Sequence, residues 1–348
     1  MTAVIRDMRA SRDRALVRVD ASPSIGFGHL SRCLAVAAGL RARGWSVDFV
    51  TRKPSADKVR DAEFGLRLLE DEIPASSDDE CGVLASLVRS LDARLIVVDH
   101  YDIDGAYHAA LRATGATLLV IDDLGRPRLG ADILVNQNIY ASEGLYPGAS
   151  GCRLLLGPRF ALLRPEFVAA RRRPSSERAS VPSVLVTLGG GETSEMARVV
   201  VEGLSRLGEE IAVVLVLGPG AADARRLDGS APARLRVVRD PADMAAVMRG
   251  CDLAICGGGA TCLELACVGV PALVIVMADN QRRNAEGLAA AGITVSLGEH
   301  AAVTPAAVET TVACLLHDAD RRRRMADRGQ ALVDGHGVER VVAEIEQR

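Results

Sequence analysis

The chain has 348 residues, enough for two domains of ordinary size and too many for one compact core. Hydrophobic residues make up 49% and charged residues 25%, which excludes a disordered chain. Aromatics at only 3% favour α/β packing over a β-sandwich. A net charge of −3 removes any general attraction to nucleic acid or to an anionic membrane.

The leader "MTAVIRDMRASRDRA" carries no long apolar run, so neither a signal peptide nor a membrane span is expected. Short apolar runs then alternate with helical patterns. "ALVRVD" reads as a strand, and "HLSRCLAVAAGLRARG" as a helix closed by Gly44. "SVDFVTR", "ARLIVVDHY", "TLLVIDD" and "DILVNQN" read as further strands, two of them ending in acids. Strands alternating with helices imply a parallel sheet with helical crossovers.

Residues 171–183, "RRRPSSERASVPS", are basic, hold two prolines and lack periodicity, which predicts a linker rather than a nucleic-acid contact. A second alternating series follows: "SVLVTLGGG", "EEIAVVLVLG", "RLRVVRD", "DLAICGGG" and "PALVIVM". The expected organisation is a first α/β domain over 1–175, a second over 176–330, and a helical tail over 331–348 packing back on the first.

Eight cysteines are dispersed with no C-x-x-C pair, which argues against a zinc ribbon and for small buried thiols in a reducing cytoplasm. The acids Asp122 and Asp123 read as a strand-end turn, and the run DDE at 78–80 as a solvated loop, since a metal site needs convergent ligands.

Three glycine-rich turns carry the chemistry. In "IGFGHLSRC", Gly26 and Gly28 stand between strand and helix, but Ser31 occupies the place of a third fingerprint glycine, so a dinucleotide site is poorly supported. The glycines still allow close approach of a ligand to backbone N–H groups at a helix start. His29 falls in the first turn, where the helix dipole disfavours a cation, and an imidazole there suits proton acceptance from water or a sugar hydroxyl. The alternative is a capping or packing histidine. The second turn, "TLGGGE", offers Gly189 and Gly190. The third, "CGGGATCLELACVGVP", places Gly258, Gly259 and Thr261 at a helix start suited to a diphosphate without metal. Glu264, one turn in, could accept two ribose hydroxyl bonds or simply complement the dipole. "ADNQRRN" puts Asn280 and Gln281 at the end of the next strand, and "IVVDHYD" brings Asp99, His100, Tyr101 and Asp102 to the end of another. Ligands in open α/β sheets sit at such strand ends.

Taken in order, "DASPSIGFGHLSRCLAVA", "VVDHYDI", "IDDLGRP", "ADILVNQNIY", "FALLRPEF" and "GGGATCLELACVGVPALVIVMADNQ" resemble the UDP-2,4-diacetamido-2,4,6-trideoxy-β-L-altropyranose hydrolase family of pseudaminic acid biosynthesis, over about Leu16 to Gly298. The second half also resembles the glycosyltransferase that adds N-acetylglucosamine to the peptidoglycan lipid precursor. The resemblance implies a GT-B fold: two Rossmann-like domains with the active site in the cleft between them. It implies metal-independent attack of water at the anomeric carbon, inversion, and release of UDP. His29 then matches the family's base and Tyr101 its water- or sugar-orienting tyrosine. Gly26, Gly28, Arg32, Gly189, Gly190, Gly258, Gly259, Thr261, Glu264, Asn280 and Gln281 fall to the substrate and nucleotide. The implied partner is a UDP-sugar alone. No cofactor, metal, nucleic acid or membrane is expected, and the chain should be a monomer or weak homo-oligomer. Two other readings remain: a GT-B glycosyltransferase using a UDP-sugar donor, and a nucleotide-sugar binding protein without turnover, against which His29 argues.

Overall fold

A computed structural model describes residues 13–22, 25–126, 130–171, 181–189, 194–218, 232 and 234–348. Two parallel sheets organise them. The first has strands β1 (Arg14–Val19), β2 (Ser46–Thr51), β3 (Gly65–Leu68), β4 (Leu95–Asp99), β5 (Thr117–Ile121), β6 (Ile133–Asn136) and β7 (Arg153–Leu156), in the order β3-β2-β1-β4-β5-β6-β7. The second has β8 (Ser183–Thr187), β9 (Ala212–Leu217), β10 (Leu235–Arg239), β11 (Leu253–Gly257), β12 (Ala272–Val276) and β13 (Thr294–Glu299), in the order β10-β9-β8-β11-β12-β13. The central strands are continuously apolar, β4 and β12 being buried at every position, because helices cover both faces of a parallel sheet.

Helices α1 (Gly28–Ala42), α2 (Lys53–Asp61), α3 (Asp78–Leu91), α4 (Gly105–Arg112) and α5 (Pro165–Ala169) belong to the first half of the chain. Helices α6 (Ser194–Ser205), α7 (Met244–Arg249), α8 (Thr261–Val268), α9 (Arg282–Ala290), α10 (Pro305–His317), α11 (Ala319–Leu332) and α12 (Gly337–Ile345) follow. The last helix crosses back. Val341, Val342 and Ile345 of α12 share a core with Val36, Ala37 and Leu40 of α1. The approach is close enough that a Cβ at Gly39 would lie 2.4 Å from the Val338 side chain, so only glycine fits there without movement. Of the basic stretch expected to be a linker, residues 172–180 lie outside the described residues.

The DDE run at 78–80 is not a solvated loop. It opens α3, with the Ser77 hydroxyl accepting from Glu80 N–H at 3.2 Å. Ser77 followed three residues on by Glu80 is a helix-start signature that the charge run obscured. Glu80 is fully buried, its carboxylate holding Arg18 of β1 at 2.8 Å and Arg52 at 2.9 Å. Burial alone would favour a neutral Arg18. Its bonds to Asp20 and Glu80 overcome that and keep it charged. Of the cysteines, six are buried as small apolar groups, Cys152 is half-buried and Cys314 is exposed.

Candidate active site

In each sheet the strand order reverses at one place: between β1 and β4 in the first, and between β8 and β11 in the second. Open α/β sheets bind ligands at such switch points, beyond the carboxyl ends of the strands. The described site residues gather at these two points.

At the first, the turn after β1 delivers His29 to the second position of α1. Gly26 sits at φ +87° and donates to Ser22 O at 2.7 Å, a conformation that favours glycine. A Cβ at Gly26 or Gly28 would meet nothing within 4 Å among the described residues. His29 is mostly buried, and its Nδ1 lies 2.6 Å from Asp99 Oδ1 at the end of β4. Arg32, one turn along α1, also approaches Nδ1, at 3.2 Å. The carboxylate is nearer and can only accept, so Nδ1 carries the proton and Nε2 is left as the basic nitrogen.

Arg32 was expected to face substrate. Instead it is a buried clamp: Nε donates to Asp99 Oδ2 at 2.5 Å, Nη2 to Asp99 Oδ1 at 2.7 Å, and Nη1 to Asp123 Oδ2 at 2.6 Å. Burial would neutralise Arg32, but Asp123 and Asp99 outweigh it. Burial likewise pushes the Asp99 carboxyl up, yet the charges of Arg32 and His29 and their hydrogen bonds hold it well below the usual range.

The four residues at the end of β4 divide their tasks. Asp99 turns inward to His29. Tyr101 stands edge-on to the His29 ring, 4.5 Å between centroids, and its hydroxyl donates to Asp123 at 3.0 Å. His100 turns to Asp20, 3.4 Å away, and Asp102 is exposed. Burial and the adjacent Asp123 push the Tyr101 phenol up, so it stays protonated. After β5 only Asp122 behaves as a turn residue, accepting from Gly125 N–H at 2.7 Å and pairing with Arg126. Asp123 departs from that expectation and gathers Arg32, Tyr101 and Asn138.

At the second switch point, Gly189 follows β8 at φ +117°, and Gly190 lies outside the described residues. The turn after β11 leads into α8. Gly258 N–H is already taken by Gln281 Oε1 at 2.9 Å, which also accepts from Met277 N–H at 3.0 Å. Gln281 therefore braces the turn from within, and Gly258 offers no spare donor to a diphosphate. Gly259 and Ala260 keep N–H groups without acceptors among the described residues, directly at the start of α8, which begins at Thr261. Such donors are what an anion at a helix N-terminus uses.

Glu264 is half-buried on the first turn of α8, and its carboxyl makes no hydrogen bond among the described residues. Burial, with Glu166 assisting and Arg164 opposing, pushes its carboxyl up to about 7. Asn280 is exposed and reaches across the cleft, donating to the Tyr101 hydroxyl at 3.2 Å. Further contacts join the halves: Arg283 over the Tyr140 ring at 4.4 Å, Asn284 with Ile139 N–H at 3.4 Å, and Lys58 with Asp240 at 2.9 Å.

Residues 183–338 match the family model described as the glycosyltransferase family 28 C-terminal domain. The crystal structure of MurG from Acinetobacter baumannii superposes with a TM-score of 0.67 at 18% identity, covering 97% of this chain and all of that one. The fold is GT-B. GT-B architecture accounts for two switch points facing one cleft. Among curated relatives, the spore coat polysaccharide biosynthesis protein SpsG of Bacillus subtilis is 24% identical over 91% of this chain and 93% of its own. The UDP-2,4-diacetamido-2,4,6-trideoxy-β-L-altropyranose hydrolase of Campylobacter jejuni is 28% identical over 53% of this chain and 63% of its own. That likeness is narrower than the stretch from Leu16 to Gly298 along which the motifs resemble the hydrolase family.

Among the described residues no group of three or more His, Cys, Asp or Glu is placed to hold a metal ion, and no helix is long and apolar enough to cross a membrane. A cavity of about 530 Å³ at the opposite ends of β1, β4 and β5 is lined by Trp45, Arg89 and Arg94, far from His29 along the strands. Arg94 there is already paired with Asp13.

Proposed function

We propose that this GT-B protein is an enzyme that transfers a glycosyl group from a nucleotide-sugar, with UDP as the nucleotide, to a hydroxyl activated by His29. The observation that carries the reading is the buried 2.6 Å contact between His29 Nδ1 and Asp99, beside a Tyr101 hydroxyl that Asn280 of the second half bonds. Asp99 holds the Nδ1–H tautomer, and Nε2 takes the proton of the attacking hydroxyl. The oxygen bonds to the anomeric carbon as the bond from that carbon to the diphosphate breaks. UDP leaves with the electron pair, its growing charge met by the Gly259 and Ala260 N–H groups and the α8 dipole. Attack from the first domain on a donor held by the second inverts the anomeric centre. Glu264 accepts from the ribose hydroxyls. The match of residues 183–338 to a glycosyltransferase domain favours a transferase.

Water as the attacking hydroxyl is the second reading. It is favoured by the Tyr101–Asn280 bridge, which sets a hydroxyl and an amide beside His29 where a water could be held, and by the likeness to the hydrolase. Incubation with a panel of UDP-sugars, first without acceptor and then with sugar and lipid-linked acceptors, separates the two. UDP released without acceptor, with heavy oxygen from water in the free sugar, marks a hydrolase. Release only with acceptor marks a transferase. Label in UDP, or UMP plus sugar phosphate, overturns both.

A further inference from the structure

Asp123 has no part in the turn that its neighbour Asp122 holds, yet it is only 13% exposed at the side chain and its carboxylate accepts three hydrogen bonds. It does not touch His29. The link is Arg32, whose guanidinium it shares with Asp99. Every neighbouring element contributes to this group. From α1 come His29, Arg32 and the Cys33 thiol, 3.8 Å from Asp99. From the end of β4 come Asp99 and Tyr101, and from β5 Asp123 beside the Asp122–Arg126 pair. Asn138 and Tyr140 follow β6, the Tyr140 hydroxyl bonding the Asp123 carbonyl. Asn280 and Arg283 reach in from the second domain.

The charges in the enclosed part decide what this arrangement does. Asp122 and Arg126 cancel. Arg32, Asp99 and Asp123 sum to one negative charge while the imidazole is neutral, so protonation of His29 brings the group to zero. Without Asp123 the same proton would leave a net positive charge in a poorly solvated place, with the Arg32 guanidinium 3.2 Å from His29 Nδ1. Arg32 would also be left to Asp99 alone, drawing that carboxylate away from the imidazole.

We infer that Asp123 is the charge-balancing and positioning residue for His29: acting through Arg32, it leaves Asp99 free to hold the imidazole and lets the buried group take up a proton without gaining net charge. The inference rests on the reading of His29 as the base. Its placement also depends on the second domain, because Asn280 steadies Tyr101 on one side of Asp123 and Arg283 steadies Tyr140 on the other.

The test reads the imidazole directly and needs no substrate. Full-length protein labelled at histidine is titrated by NMR, and the His29 signal among six is assigned with His29→Gln. In Asp123→Asn the His29 midpoint should fall by about one pH unit, as expected for removing one nearby charge. In Asp123→Glu it should stay near that of the unaltered protein. Asp123→Ser carries the same expectation as the amide and replaces it if the amide does not fold. An unmoved or raised midpoint in these neutral variants overturns the inference, because loss of a merely structural contact would not shift the titration in this direction. The acid limb of turnover with UDP-N-acetylglucosamine should follow the midpoint. Full turnover by His29→Ala would instead remove the base reading while leaving the titration result standing, so the two failures are distinguishable.

Discussion

Glu264 offers a measurement that joins electrostatics to nucleotide binding. Its carboxyl is pushed up to about 7, against an ordinary value near 4.5, by burial in a site where Glu166 adds to the effect. A carboxyl with that value is ionised in about 1% of molecules at pH 5 and in about 90% at pH 8. Ribose hydroxyls donate, and they need the ionised form to accept both bonds. UDP affinity should therefore rise with pH, by as much as about 90-fold between pH 5 and 8. Water reaches the half-buried side chain and moderates the shift, so a tenfold change, about 1.4 kcal/mol, is the least expected. UDP itself titrates in this range, and the comparison with Glu264→Gln cancels that contribution. Calorimetry at pH 5, 6, 7 and 8 on both proteins gives the ratio of affinities, and binding near pH 7 should release more protons from the unaltered protein than from Glu264→Gln. The same shift has a consequence for the free protein. A carboxyl held above its unfolded value binds its proton more tightly when folded, so stability falls as pH rises from about 4.5 to 7. A ratio of affinities that is constant across this range would place the ribose elsewhere and refute the reasoning.

The remaining predictions concern the base, the anion site and the first-domain core. Asp99→Asn should lower kcat by about 10²–10⁴-fold with little change in KM, because the tautomer and the charge that favour proton uptake are lost together; near-normal kcat would remove the dyad from the mechanism. Turnover should survive excess EDTA, since the diphosphate donors we propose are N–H groups at the α8 start; loss of activity restored by Mg²⁺ or Mn²⁺ would contradict this. Glu80→Gln leaves Arg18 and Arg52 short of a buried carboxylate and should cost about 3–5 kcal/mol, read as a fall in Tm of about 10 °C, with UDP binding by the second domain largely kept. Asp20 and Glu80 are held below the usual carboxylate range, so their stabilisation should be present above about pH 4 and lost as pH falls further, which an acid titration by circular dichroism follows.

Much of this protein is legible in one dimension. Continuous apolar runs such as Leu95–Val98 and Leu273–Val276 can be satisfied only by strands covered on both faces, and their alternation with helices dictates parallel sheets. Glycines before helix starts, and acids or amides after strands, mark where ligands can approach, because parallel sheets leave those ends open. His29, Tyr101, Glu264 and Asn280 carry that signal in their immediate neighbours.

What each polar group touches was decided by the tertiary structure. Asp99 and Asp123 lie 24 positions apart and 70 and 94 positions beyond His29, yet the order β1-β4-β5 sets their strand ends side by side, and Arg32 one turn after His29 meets both. A charged residue in sequence reads the same whether its partner is water, a ligand or another charge. Arg32 looked like a ligand for substrate and is consumed by two carboxylates. Gln281 looked like a lining residue and braces Gly258. Glu80 looked solvated and neutralises a buried arginine. Local propensity places a residue at a strand end or a helix start. Only the crossing of chain segments remote in sequence selects which of its neighbours complete its hydrogen bonds and balance its charge, because those bonds are settled by distances of a few ångströms that no local pattern encodes.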